Sequence, residues 1–195
     1  MLLAVRHGQT DWNLAGKAQG QVDRPLTELG RQQAEQSAAI LQRFAARRGF
    51  GAAALPSFSS PLGRALETAR IVNAALGSHA PAQVDVRLIE MSFGRWEGMT
   101  AAEMKADDPV WRKARKNDRW NVAPPGGESY ADLYKRVEDF SHSVRQPAII
   151  VTHLGVLRLL AVICGGVERE DALTMRFRND ALYVFDDGNV SVIEL

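Results

Sequence analysis

Four short stretches of the 195-residue sequence hold residues that can do chemistry together. The first is "RHGQTDWN", where Arg6 and His7 follow the apolar opening "MLLAV". Two adjacent cations at the end of a buried run are costly unless water or an anion meets them. The second is "AIIVTH", another apolar run, which ends in Thr152-His153. The others are "SSPLGRA", which holds Arg64, and "QVDVRLIE", which ends in Glu90. Brought to one place, two arginines and two histidines concentrate positive charge, and helix N-termini add backbone donors. A phosphoryl group is the natural guest, because its oxygens take bidentate guanidinium contacts. A histidine with a free ring lone pair can attack phosphorus, and neighbouring cations favour its neutral form. Glu90 can protonate the leaving alkoxide and later take a proton from water, provided partial burial keeps it protonated near neutral pH. Guanidinium groups neutralise the equatorial oxygens, so this chemistry needs neither a metal nor an organic cofactor.

These residues can meet only if the chain folds in a particular way. "MLLAV" and "AIIVTH" are continuous apolar runs of the length of strands buried on both faces. A brief strand is expected around Phe58, and "QVDVRLIE" alternates enough to be a further one. Between them, the stretch beginning "LTELGRQQA" reads as a helix with Thr27 as N-cap and Gly49 as stop, its apolar positions including Ala34, Ala38, Leu41 and Ala45. "LGRALETARIVNAAL" reads as another, stopped by Gly77. Thr100 to Asn121 is polar and helical in propensity. After "PPGG" comes a long helix with Ser129 and Asp132 spaced as a capping box and Tyr130, Leu133, Tyr134, Val137, Phe140 and Val144 as its buried stripe. "LGVLRLLAVICGG" is a helix, and "ALYVFDDGNVSVIEL" closes as a hairpin around Asp187-Gly188. Strands alternating with helices predict a three-layer α/β/α sandwich with a mostly parallel central sheet. In such sheets a ligand sits beyond the carboxyl ends of the strands, which places both histidines, both arginines and Glu90 at one rim.

Composition agrees with a single domain over residues 1–195, with a helical, lid-like excursion at about 97–123. A formal net charge of +1 supplies no global basic field for nucleic acid. No charged-then-apolar leader precedes "MLLAVRHG", and no apolar run approaches the ~20 residues of a membrane span, so a soluble, cytoplasmic protein is expected. The one cysteine, Cys164, lies in an apolar run and suits a reducing compartment.

The motifs "RHGQTDWN", "LTELGRQQA", "SSPLGRALETA", "LIEMSFGRWEGM", "PPGGES" and "VTHLGVLR" occur in the order of those of the histidine phosphatase superfamily, also called phosphoglycerate mutase-like. The chain resembles that family from about Arg6 to Arg158, and the resemblance implies the same α/β sandwich. It also implies that His7 is the phosphorylated histidine, that Arg6, Arg64 and His153 form its phosphate pocket, and that Glu90 is the proton donor. Asn13 matches a position of an additional phosphate ligand, and Gln19, Gly20 and Glu128 fall where substrate contacts occur. One departure stands out: the family's glycine after the second histidine is Leu154 here. Leucine does not favour a positive φ, so a phosphate contact there is in doubt and the pocket is expected to be narrower and more apolar. Length and the "EMSFGRWEG" and "PPGGES" motifs resemble the small phosphatases, including alpha-ribazole phosphatases. The expected partner is a small phosphomonoester, with a homodimer suggested by family habit.

Other readings stay open. A cofactor-dependent phosphoglycerate mutase would need more cover than 97–123 provides, although the basic run "RKARKNDR" can touch a second anionic group. A metal-dependent hydrolase would use His7, His153 and Glu90 as ligands, against the repulsion of two arginines. A binding module on the same fold would have lost a core residue. Elsewhere, "RKARKNDR" reads as a solvated helix face near the entrance. His79 and His142 read as surface residues, and Trp96, Trp111 and Trp120 as core or lid packing.

Overall fold

A computed structural model describes residues 1–194. In chain order its main elements are β1 (Leu2–Arg6), α1 (Asp11–Leu14), α2 (Glu28–Arg47), β2 (Ser57–Ser59), α3 (Gly63–Ala75), β3 (Gln83–Val84), α4 (Ala101–Asp107) and α5 (Pro109–Asn117). There follow α6 (Tyr130–Ser143), β4 (Ala148–Thr152), α7 (Leu154–Ile163), α8 (Arg169–Thr174), β5 (Leu182–Asp186) and β6 (Asn189–Ile193). The strands form one sheet in the order β3-β2-β4-β1-β5-β6. The first four run parallel, whereas β5 pairs antiparallel with β1 and with β6.

The continuous apolar runs are explained by helices on both faces. Along β1, Leu2 and Ala4 join one core cluster and Leu3 and Val5 the other; along β4, Ile150 faces the first and Ile149 and Val151 the second. The first cluster is completed by α6 and α7 and the second by α2 and α3, giving the expected three layers. Thr27 caps α2 by accepting from the Gly30 N–H, and Ser129 and Asp132 form the capping box of α6. The β5–β6 turn carries positive φ at both Asp187 (49°) and Gly188 (71°), the pairing that matches hairpin twist.

Three local expectations change. The strand over "QVDVRLIE" shrinks to Gln83–Val84, because the Asp85 carboxylate accepts from the Arg87 N–H and turns Val86–Leu88 into a 3-10 helix. Alternation alone cannot extend an edge strand when a side chain offers the backbone another partner. The helical stretch from Thr100 divides at Asp108-Pro109, where Asp108 ends α4 and caps α5 by accepting from the Trp111 N–H. Two short helices, α1 and α8, were not expected. Trp96 is buried and Trp120 packs beside Tyr134, whereas Trp111 is 44% exposed and donates to the Ala123 carbonyl, tying down the excursion. His79 and His142 are exposed. Among the described residues, no helix is long and apolar enough to cross a membrane.

Candidate active site

The parallel pairing of β1 with β4 decides the heart of the site. Arg6 lies in register with Thr152, and the His7 N–H donates to the Thr152 carbonyl at 2.9 Å, so the residues beyond the two strands emerge side by side. The His7 and His153 rings stand 5.0 Å apart between centroids, both buried. Nδ1 of His7 lies 2.8 Å from the Gly8 carbonyl. A carbonyl can only accept, so Nδ1 carries the proton and Nε2 keeps its lone pair. Burial first, then the charges of Arg6 and Arg64, hold the basicity of His7 well below the usual histidine range. His153 is lowered likewise, first by burial and then by His7, Arg64 and Arg6; its Nε2 pairs with the Ser60 hydroxyl at 2.7 Å.

Arg64 is 1% exposed, inside the first turn of α3. Its Nη2 donates to the Gly20 carbonyl at 2.6 Å and its Nη1 to the Val22 carbonyl at 2.8 Å, so it is braced by the loop after α1. That loop is clamped from its other side by Glu97, whose carboxylate accepts from the Gln21, Val22 and Phe93 N–H groups. Arg6 donates through Nη1 to the Phe177 carbonyl. Glu90 follows the 3-10 helix rather than a strand, and its two carboxylate oxygens accept from the Met91 N–H at 2.8 Å and the Gly155 N–H at 3.2 Å.

A cavity of about 190 Å³ joins these groups, with Arg6, His7, Asn13, Gln19, Gly20, Arg64, Glu90 and Leu154 in its wall. His153 lies beneath it, against His7. Among the described residues six buried side-chain polar atoms lack a hydrogen-bond partner, and five belong to Arg6, Gln19, Arg64, Arg115 and His153. Four of those atoms can only donate, being guanidinium Nε and amide nitrogens, and all four belong to side chains that line the cavity.

A model of the histidine phosphatase superfamily (branch 1) matches residues 2–190. The chain belongs to that superfamily. A glucosyl-3-phosphoglycerate phosphatase of Mycolicibacterium vanbaalenii is 36% identical over 181 residues, covering 85% of this chain and 74% of that protein. The phosphoglycerate mutase-like protein 4 of Arabidopsis thaliana is 35% identical, covering 82% and 68%. The crystal structure of the alpha-ribazole phosphatase from Shigella flexneri superposes with a TM-score of 0.80 at 28% identity, covering 98% and 93%. The enzyme class is therefore that of phosphoric monoester hydrolases.

Within this histidine phosphatase the expected residues separate into two groups. Nine of the ten lie in or directly beneath the cavity, and Asn13 combines that place with a capping role, its Oδ1 accepting from the Thr10 N–H. Glu128 does not reach the wall. It accepts from the Ser92 N–H at 2.8 Å and pairs with Arg136 at 3.1 Å, so it braces the Glu90 loop from behind. Leu154 also corrects an expectation. It opens α7 in helical conformation and needs no positive φ, while the close approach falls one residue later. A Cβ on Gly155 would stand 2.3 Å from Glu90 Oε1, so only glycine lets that carboxylate reach the α7 N-terminus.

The sequence reading missed Ser60, whose signal was its place at the end of β2, and Lys17, which carried none. The run "RKARKNDR" reads from sequence as a solvated helix face near the entrance, able to touch a second anionic group, with no one of its cations singled out. Arg115 is in fact 8% exposed, and it lines the cavity together with Arg119 and Arg158.

Proposed function

We propose that this enzyme hydrolyses small phosphorylated metabolites through a phosphoryl group carried transiently on His7 Nε2, with no metal ion. The observation that carries this reading is the 2.8 Å contact between His7 Nδ1 and the Gly8 carbonyl, which leaves the lone pair on Nε2. As the Nε2–P bond forms, the ester P–O bond breaks and its electron pair leaves on the substrate oxygen, which takes a proton from Glu90. The positive charge that develops on the ring is shared with the Gly8 carbonyl through Nδ1–H. Arg6 and Arg64 hold the equatorial oxygens. Water then attacks phosphorus while Glu90 takes its proton, the P–N bond breaks, and phosphate leaves with His7 again neutral.

The named relatives suggest glucosyl-3-phosphoglycerate and alpha-ribazole phosphate as first substrates for a phosphate-release panel. A phosphoglycerate mutase is the second reading, favoured by Arg115, Arg119 and Arg158 in the cavity wall. It would need a covered site, whereas α4 and α5 are helices of seven and nine residues. With 3-phosphoglycerate and 2,3-bisphosphoglycerate supplied together, a hydrolase releases phosphate and forms little 2-phosphoglycerate.

The decisive experiment is acid-labile, base-stable labelling of the enzyme by a radioactive phosphomonoester in rapid quench. The wild type should label and turn over in the presence of EDTA, and His7→Ala should lose both together. A stable phosphoenzyme on His153, or loss of turnover in EDTA, would overturn the scheme.

A further inference from the structure

Glu97 closes the stretch "EMSFGRW" that begins at Glu90, and the hydrolytic steps above make no use of it. It follows the 3-10 turn Gly94–Trp96, where the buried Trp96 donates through its Nε1 to Asp107 at 3.0 Å and fastens the backbone. The Glu97 carboxylate is held by backbone donors. Oε1 accepts from the Gln21 N–H at 3.0 Å and the Phe93 N–H at 3.1 Å, and Oε2 from the Val22 N–H at 3.1 Å. Successive N–H groups of this kind make a concave seat for an anion. The approach is close: a Cβ on Gly20 would stand 2.2 Å from Oε1.

Arg64 grips the same loop from the other side. Its Nη2 donates to the Gly20 carbonyl at 2.6 Å, and that carbonyl and the Gln21 N–H are the two ends of one peptide group. A single amide therefore lies between the guanidinium and the Glu97 carboxylate. A cation on its oxygen and an anion on its N–H polarise it in the same sense, so each hydrogen bond strengthens the other. Val22 adds a second link, its carbonyl accepting from Arg64 Nη1 and its N–H donating to Glu97. Two other carboxylates act on the Arg64 charge, Glu90 and Asp23. Glu90 is neutral whenever it is loaded as the acid, and the Asp23 side chain, 3.5 Å away, is 44% exposed and screened by water. With both Nη atoms committed to the loop, Arg64 Nε stays buried and unpartnered in a side chain of the cavity wall.

We infer that Glu97 is a positioning residue for phosphate binding: through the Gly20–Gln21 peptide group it holds the Arg64 guanidinium so that its remaining N–H groups serve the phosphoryl oxygens. This deepens the phosphatase reading and rests on it, since Arg64 holds those oxygens there. Losing the strut should weaken one charge-assisted contact to the phosphoryl group, by about 10-fold. Alkyl and aryl esters should suffer equally, because both present the same phosphoryl group to Arg64.

The test is a double-mutant cycle of Glu97→Gln with Arg64→Ala. It is read on kcat/KM for p-nitrophenyl phosphate and glycerol 3-phosphate, and on the calorimetric affinity for inorganic phosphate. In the wild-type background Glu97→Gln should lower all three by about 10-fold. In the Arg64→Ala background it should change them by less than about 2-fold, because residues that act through one another are not additive. The same loss in both backgrounds would make Glu97 a plain staple between loops and overturn the inference, as would a loss below about 2-fold in the wild-type background. A loss confined to glycerol 3-phosphate would also overturn it, by assigning the strut to the Glu90 loop through Phe93. Glu97→Asp, which keeps the charge and shortens the reach, carries the same cycle if the glutamine variant does not fold. Wild-type enzyme that binds phosphate but hydrolyses neither ester would sink the hydrolase reading alone, since the cycle on phosphate affinity still decides the role of Glu97. Wild-type enzyme that does neither would overturn both.

Discussion

Gly155→Ala isolates the placement of Glu90 from its chemistry. The new Cβ would stand 2.3 Å from Glu90 Oε1 and 3.2 Å from Leu133 Cδ2. To reach ordinary contact the carboxylate must retreat by about 1 Å, loosening the bond it accepts from the Gly155 N–H at 3.2 Å. The obstructing atom is the end of a flexible side chain, and alanine gains up to about 1 kcal/mol of helix propensity over glycine, so the fold should survive. A displacement of about 1 Å in a reacting group costs on the order of 10²-fold in rate. That loss should appear only where the leaving oxygen needs a proton. Steady-state kcat on an alkyl ester such as glycerol 3-phosphate is therefore expected to fall about 100-fold, and on p-nitrophenyl phosphate less than about 10-fold. Glu90→Gln should show the same asymmetry more strongly. Equal losses on the two esters, with an unchanged melting temperature, would refute the assignment of Glu90 as the acid.

Arg64→Ala removes a cavity donor and also releases the Gly20 and Val22 carbonyls it holds, so kcat/KM should fall by at least about 10²–10³-fold on every ester. A loss below 10-fold would mean that Arg64 serves the loop and not the phosphate. His7 and His153 are both held well below the ordinary value near 6.5, chiefly by burial, so the unfolded chain binds protons that the native state refuses. Their contribution to stability is complete above about pH 6.5 and is lost as pH falls, with a slope of about 1.4 kcal/mol per pH unit for each group below its unfolded pKa. Urea denaturation at pH 7 and pH 5.5 measures this, and a midpoint unchanged between them would contradict the buried, neutral histidines.

Much of this molecule is local information. The runs before Arg6-His7 and Thr152-His153 read as central strands because strands covered on both faces are apolar without alternation. The rule that ligands sit beyond the carboxyl ends of parallel strands then places both histidines together. Thr27, Ser129 with Asp132, and Asp187-Gly188 each specify a helix start or a turn through contacts a few residues long. Other features were decided by partners far apart in the chain. Ser60 meets His153 across 93 positions, and Glu128 meets the Ser92 N–H across 36, so neither role could be read from neighbours in sequence. The basic run is the clearest case. Arg112, Lys113, Arg115 and Lys116 share one composition, but docking α5 over Phe93 and Met91 buries Arg115 alone among them and turns it to the cavity. Charge and spacing tell that a helix is basic; only packing in three dimensions decides which of its cations loses its water.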